Sequence, residues 1–421
     1  MANQVFRGDA PAIAEVKTVQ ITGNDAVTTY TLTINGKAVS VTGNAGGVND
    51  TASDLCDAWN ASTIPEFVEI TASVATDTVT LTYDTAGIPF VCASSVVGGG
   101  GTIGAVTASV AATGPNHWDE DDNWSTGSKP VNADVVYLED CDVDILYGID
   151  QNAVTLTALN KSMSFTGKIG LPRENANGYY EYRETHLKIS ATTVNIGYGE
   201  GSGSQRIKLN TGTVQTAINI LNSGSPEDDE LETILWVGTH AANTVTINKG
   251  SLGVALFAGE TATIATLKVG YRDAVIGDVV VRCGTGVTLT DIDQTGGELH
   301  VDSNFTTHDM TDGEFIFGTR GSPTVGTISA DGGAVRYRSD GTLTAGKFGP
   351  NATIDFRQDM RPRTVTDLEL HKDASYHDPF GTVAHTNGID FVRSRRLIWR
   401  YSRPFHIALG RLLQFNGGAH G

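Results

Sequence analysis

The stretch Gly297-Glu298-Leu299-His300-Val301 decides the fold, because it recurs along the chain. It returns as Gly313-Glu314-Phe315-Ile316-Phe317 and Gly333-Ala334-Val335-Arg336-Tyr337, with weaker copies at 352–356 and 374–376. Successive copies are 16, 20, 19 and 22 residues apart, and the third and fifth residues of each strong copy are apolar. Short strands that recur after a glycine are typical of one wall of a β-solenoid, in which each coil stacks on the previous one.

The sequence therefore predicts a mainly β protein with a β-solenoid over residues 113–390. We expect its form to be a right-handed parallel β-helix. Short strands separated by Gly, Asn or Asp fill this range, and only 18% of the chain is charged. At ~20 residues per coil and ~4.8 Å per strand, roughly 13 coils would form a rod about 60 Å long. A β-sandwich is the alternative, but its roughly seven to nine strands would follow no fixed interval.

Residues 1–112 form a different unit, which we predict to be a small α+β module with a linker. Tyr30, Leu32 and Ile34 alternate with threonines, a pattern that indicates a strand with one buried face over residues 27–34. Asn35-Gly36 is a strong signal for a two-residue hairpin turn, so residues 37–42 should form the returning strand.

A helix is predicted over residues 50–60, with Asn49 or Asp50 as its cap. The apolar residues of this segment fall on one stripe: Ala52, Leu55, Cys56 and Trp59. Two further strands are predicted over 67–74 and 78–83. A Gly-rich linker should then run from residue 98 to residue 114.

Charge is distributed unevenly along the chain. The formal net charge is −19, which disfavours nucleic-acid binding over most of the surface. Residues 391–421 contain no acid, and the rest of the chain therefore carries −25. This basic tail holds six arginines: Arg393, Arg395, Arg396, Arg400, Arg403 and Arg411.

The tail also has the pattern of a short amphipathic helix that begins at Pro404. Its apolar stripe consists of Phe405, Leu409, Leu412 and Leu413. Two roles are equally open for the tail: docking on a partner surface, or capping the last coil of the solenoid. Nucleic-acid binding is a weaker third role, because six arginines at one end of an acidic body would bind it in a strongly salt-sensitive way.

Paired carboxylates are the sharpest indication of an enzyme, because solenoids that cleave polysaccharides use two acids on one exposed wall. Asp142/Asp144 and Asp291/Asp293 have the i, i+2 spacing that places both acids on one face of a strand. Asp is common in this chain, however, and turn formation accounts for most of it. We therefore predict no catalytic residues.

Other candidate motifs have structural explanations. Residues 197–204 are rich in glycine but lack the Gly-Lys-Ser/Thr ending of a phosphate loop, and residues 119–122 fit an acidic turn. His371, His377 and His385 match no standard metal spacing. The four cysteines (Cys56, Cys92, Cys141 and Cys283) form no Cys-x-x-Cys pair and are predicted to be buried thiols. No metal or cofactor site is expected.

Two segments carry a resemblance to known proteins. Trp118, Trp124, Gly127, Pro130 and Asp134-Val135-Val136 together resemble the opening of passenger-type bacterial β-helices. Residues 33–37 and 58–61 resemble parts of modules from bacteriophage virion proteins and large bacterial surface proteins. The resemblance implies an architecture, and it assigns no catalytic residue.

From these features we expect a non-enzymatic structural component of a virus particle, such as a phage head decoration, fibre or tail spike. A homotrimer that contacts capsid or tail proteins is expected, with host-surface polysaccharide as a further possible partner. The start of the chain has no leader pattern, and no apolar run could span a bilayer. We therefore expect assembly in the host cytoplasm and a place on the virion surface. The alternatives are a polysaccharide-binding or -cleaving tail spike and a bacterial surface adhesin.

Overall fold

The structure, a computed structural model, describes residues 2–201, 203, 205–224, 232–270 and 279–392. Most of the described chain forms a β-solenoid built on one sheet of 21 strands, whose neighbours pair in parallel. None of the described helices is long and apolar enough to cross a membrane. The strands of the solenoid are β1 (Asn3–Val5), β10 (Val135–Leu138), β11 (Asp150–Ser162), β12 (Leu187–Tyr198), β13 (Ile207–Asn210), β14 (Ala217–Ile220), β15 (Ile234–Val237), β16 (Thr244–Ile247), β17 (Gly250–Val254), β18 (Ala262–Val269), β19 (Val279–Cys283), β20 (Val287–Gln294), β21 (Glu298–Val301), β22 (Phe305–Met310), β23 (Glu314–Phe317), β24 (Val325–Tyr337), β25 (Leu343–Asp355), β26 (Arg363–His371), β27 (Ser375–His377), β28 (Val383–His385) and β29 (Ile389–Val392).

The pairings arrange these strands into three walls, and several long strands bend at a corner and contribute to two of them. Wall A contains thirteen strands in the described part of the chain: β1, β10, β11, β12, β14, β16, β18, β20, β22, β24, β25, β26 and β29. Wall B contains β11, β12, β13, β15, β17, β19, β21, β23, β24, β25 and β27, of which β11 and β12 contribute only their first residues. Wall C contains β18, β20, β22, β24, β25, β26 and β28.

The repeat found in the sequence is confirmed as consecutive strands of wall B. Glu298 pairs with Glu314, Glu314 with Ala334, and Ala334 with Thr353, which reproduces the intervals of the repeat. Its third residues form one buried column, which includes Leu299, Phe315, Val335 and Ile354. Because alternate side chains of a strand point to one face, the apolar third and fifth positions turn inward together.

Apolar side chains fill the interior, with a few polar exceptions. His308 stands between Ile292 and Ile328 in the inward column of wall A and is fully buried. Its Nε2 lies 3.1 Å from Oε1 of Gln294, which is also fully buried. Burial without an ionic partner lowers the pKa of His308 to about 3. This histidine is therefore neutral in the folded protein.

The first strand of the chain belongs to the solenoid rather than to the N-terminal module. β1 pairs in parallel with β10, so Asn3 lies beside Val135 although 132 residues separate them. Phe6 then packs edge-on against Trp124, which in turn packs against Trp118. All three rings are buried, and they cover the core at the end of the solenoid where β1 lies. The module is therefore inserted between the first two strands of the solenoid.

The module has two antiparallel sheets and one long helix. Its sheets have the orders β5-β6-β2-β8, with β9 also paired to β2, and β4-β3-β7. Its elements are β2 (Val16–Gly23), β3 (Thr29–Ile34), β4 (Lys37–Thr42), α1 (Val48–Asn60), α2 (Pro65–Val68), β5 (Ile70–Ala75), β6 (Thr78–Tyr83), β7 (Ala93–Val97), β8 (Thr102–Ile103) and β9 (Thr107–Val110).

Several local predictions in the module are confirmed. The hairpin turns at Asn35-Gly36, and the stripe of α1 that includes Leu55 and Trp59 is buried. The cap of α1 is Gly47 rather than Asn49 or Asp50. Residues 102–110 differ from the predicted linker, because β8 and β9 pair with β2 and extend the first sheet.

A loop of the solenoid, residues 171–186, holds the module through one half-buried carboxylate. Glu69 of the module accepts hydrogen bonds from Tyr83 (2.5 Å) and Tyr179 (2.8 Å), and Asn177 donates a third. Burial, together with the bond to Glu69, raises the pKa of both phenols above the usual range. Both tyrosines therefore remain protonated donors at neutral pH.

We expect His308→Leu to remove part of the acid sensitivity of folding. Between pH 6.5 and about 3 the unfolded chain binds a proton that folded His308 cannot, so wild-type stability falls as pH falls. At pH 4 this loss is on the order of 3 kcal/mol. Denaturant unfolding at pH 7.5 and pH 4 should show a smaller difference in the variant. An equal difference in the two proteins would contradict the assignment.

We expect Tyr179→Phe to loosen the contact between the module and the solenoid, because it removes a hydrogen bond to Glu69 worth about 1.5–3 kcal/mol. Hydrogen–deuterium exchange should rise in residues 171–186. Tyr180→Phe is the matched control, because the neighbouring ring is 64% exposed. Equal exchange in the two variants would show that the bond does not hold the loop.

Candidate functional site

An open groove of about 660 Å³ follows the outer face of wall A over β10–β18. It is lined by Tyr137, Asn160, Asn195, Ile196, Tyr198, Asn219, Ile220, Leu221, Thr246, Asn248 and Lys268. Six of these residues occupy one outward column, because they are direct partners in successive strands: Tyr137, Asn160, Asn195, Asn219, Thr246 and Lys268. Parallel in-register stacking therefore produces a linear row of side chains.

Three asparagines form a hydrogen-bonded ladder along the floor of the groove. Nδ2 of Asn219 donates to Oδ1 of Asn195 over 3.0 Å, and Nδ2 of Asn195 donates to Oδ1 of Asn160 over 2.8 Å. Nδ2 of Asn160 donates to the Val136 carbonyl over 3.2 Å. A carboxamide has two N–H donors, and the ladder uses one from each residue. No second hydrogen bond from these three amides is found among the described residues, so each has one N–H left to donate.

Two tyrosines stand beside the ladder. Tyr137 occupies the position next to Asn160 in the column, and Tyr198 lies two residues beyond Ile196 where β12 ends. Burial and the nearby Glu139 carboxylate raise the pKa of Tyr198 to about 12. Both rings are half-buried, and each contributes aromatic surface to this site.

Asn248 supplies a hydrogen-bond acceptor that the fold does not use. Its Oδ1 is buried and has no hydrogen-bond partner among the described residues. Buried polar atoms are nearly always paired, so an unpaired acceptor in a groove indicates a position where a ligand donor or water can bind.

Beyond the groove, the residues of the outward column are acidic. Lys268 is followed by Asp293 and Asp309 in the next two strands of wall A. The groove therefore presents amides, hydroxyls and aromatic rings, with a cation at one end and carboxylates outside it. Such an arrangement can bind a ligand by hydrogen bonds and ring contacts, and it holds no acid–base pair.

The two predicted acid pairs have different outcomes in the structure. Asp291 and Asp293 lie on one face of β20 as expected, and Asp291 Oδ1 accepts a hydrogen bond of 2.5 Å from Thr307. Asp142 and Asp144 lie in the segment between β10 and β11, outside any strand, so that expectation was wrong. Asp144 accepts the Lys168 backbone N–H over 2.7 Å. Asp291 and Asp144 thus each hold a neighbouring coil in place.

The histidines of the C-terminal coils lie at strand ends. His371 Nδ1 accepts the Asp373 N–H over 3.2 Å, and His385 Nε2 lies 3.0 Å from the Tyr376 hydroxyl. His377 ends β27. Within the described ranges no group of three or more His, Cys, Asp or Glu residues could hold a metal ion.

The other candidate motifs are placed as follows. Residues 205–210 continue into β13, so the Gly-rich segment precedes a strand, whereas residues 202 and 204 lie outside the described chain. The acidic turn contains one turn of 3-10 helix, Asp121–Asn123. All four cysteines are free thiols. Cys56 and Cys283 are buried, but Cys92 and Cys141 are only half-buried, which the sequence did not predict.

Sequence reasoning missed the asparagine ladder. Asn160, Asn195 and Asn219 are 35 and 24 residues apart, which hides the repeat. A weak signal was present, because an apolar residue precedes each asparagine: Leu159, Val194 and Ile218. Comparison of the chain with protein-family models and with curated proteins finds no match.

We expect Asn195→Asp to destabilise the solenoid at neutral pH. The new carboxylate cannot donate to Asn160 and is directed at its carbonyl oxygen, so a favourable bond becomes a repulsive contact of about 1–3 kcal/mol. The midpoint of thermal unfolding should be lower for this variant than for the wild type. Asn351→Asp, at an exposed position of β25, is the control. Equal midpoints for the two variants would show that the ladder contributes nothing.

Proposed function

We propose that this chain is a non-enzymatic structural component of a virus particle, exposed on its surface as a head decoration, fibre or tail spike. The observation that carries the proposal is the unbroken stack of thirteen strands in wall A. A continuous parallel ladder is a stiff spacer, because each coil is held by backbone hydrogen bonds to the coils on both sides.

The interior of the solenoid supports a structural role rather than catalysis. One apolar core runs from Phe6 through to Leu370. Asp291 and Asp144, one acid from each candidate pair, accept hydrogen bonds from neighbouring coils. These contacts favour a rod over an enzyme.

The module and the tail supply two places for contact with other virion proteins. The module is fixed to one side of the rod through Glu69 and the loop at residues 171–186. The basic tail, residues 391–421, is complementary in charge to an acidic surface. The helix predicted from Pro404 lies outside the described residues. Capsid or tail proteins are the proposed partners.

We also propose a homotrimer, because three rods side by side can bury matching walls around a three-fold axis. The full chain should behave as a trimer in light scattering at micromolar concentration. It should resist heat and detergent, because a stacked ladder opens slowly and cooperatively. Mass spectrometry of virus particles purified from the source should detect the chain in multiples of three copies.

A chain that ends at Val392 separates the role of the tail from that of the rod. If the tail docks, this truncated chain should fold and form trimers but be missing from particles. The full chain, produced in parallel, is the control. A monomeric full chain would contradict the trimer, and particles that lack the full chain would contradict the virion assignment.

A further inference from the structure

We propose that the groove on wall A is a binding site for a neutral, linear polysaccharide that lies along the axis of the rod. Nothing in the proposed structural role requires a ligand at this face. The inference depends on the groove alone and holds or fails independently of the place of the chain in a virion.

The shape of the groove favours a polymer over a small molecule. The column from Tyr137 to Lys268 spans six strands, which corresponds to roughly 24 Å at ~4.8 Å per strand. The groove is open along this length, whereas pockets for small ligands enclose most of the ligand surface. An extended chain that contacts several coils fits such a surface.

The polar groups of the groove match sugar hydroxyls. Each hydroxyl donates one hydrogen bond and accepts others, and each ladder amide retains one N–H donor. Asn248 adds an unpaired, buried acceptor at the edge of the same groove. Thr246 continues the column with a hydroxyl. The groove therefore offers amide donors, a hydroxyl and a carbonyl acceptor, which are the groups that sugar hydroxyls can pair with.

The aromatic rings supply the apolar part of the contact. Tyr137 and Tyr198 line the groove beside the ladder, and both are half-buried. A rigid, half-buried ring adds contact area with little loss of side-chain freedom. Ring faces pack against the C–H face of a pyranose, which the amides cannot cover.

The negative charge of the protein favours a neutral polymer over an acidic one. The chain carries −19 overall, and Asp293 and Asp309 continue the column beyond Lys268. An acidic polysaccharide that follows the axis would meet these carboxylates and the field of the whole chain. A neutral chain meets no such repulsion and can use the amides along the whole ladder.

The test is isothermal titration calorimetry of the full chain with three neutral oligosaccharides: cellohexaose, maltohexaose and chitohexaose. A hyaluronan fragment of equal length is the acidic comparison. At least one neutral probe should bind, and more tightly than hyaluronan. Asn219→Ala, at the exposed end of the ladder, should weaken that binding about fivefold, since one hydrogen bond is lost.

Asn351→Ala is the matched control, because this asparagine is exposed but lies outside the groove. It should bind the neutral probe as the wild type does. The proposal is overturned if no neutral probe binds, if hyaluronan binds best, or if Asn219→Ala leaves the affinity unchanged. Thermal unfolding of both variants confirms that any loss of binding occurs in a folded protein.

Discussion

In-register pairing between successive coils is the constraint on which the rest of this structure depends. Each strand satisfies its backbone donors and acceptors with the strands of the coils above and below it. Equivalent residues therefore stack at the strand spacing, inward residues as apolar columns and outward residues as rows. Leu299 over Phe315 in the core and Asn195 over Asn219 on the surface are two products of the same geometry.

The sequence predicted wall B because the coils that carry it are short and similar in length. Gly297 and Gly313 directly precede β21 and β23, Gly333 opens the wall B part of β24, and no long loop interrupts the repeat. The coils that carry the asparagine ladder are irregular, since the loop at 171–186 lengthens one of them. An outward row depends on the register between distant strands, and a single sequence does not contain that information when the interval varies.

The pairing of β1 with the solenoid could not be predicted from the sequence either. Three residues are too few to show a period, and the partner of Val5 is Tyr137. The tryptophans at 118 and 124 indicated the start of the solenoid, but the sequence did not indicate that Phe6 completes their cluster. A similar limit applies to β8 and β9. They lie in a segment with the Gly, Ala and Thr composition of a linker, and they become strands because β2 offers a free edge.

The insertion of the module between β1 and β10 imposes an order on folding. β1 has no strand to pair with until Val135 is available, whereas the module consists of contacts close in sequence, which form sooner. Once the module is folded, Ile13 and Thr113 are bridged by two backbone hydrogen bonds. This bridge shortens the effective loop between β1 and β10 and lowers the conformational entropy lost when the first coil closes. The module thus prepares the nucleus from which the remaining coils can grow.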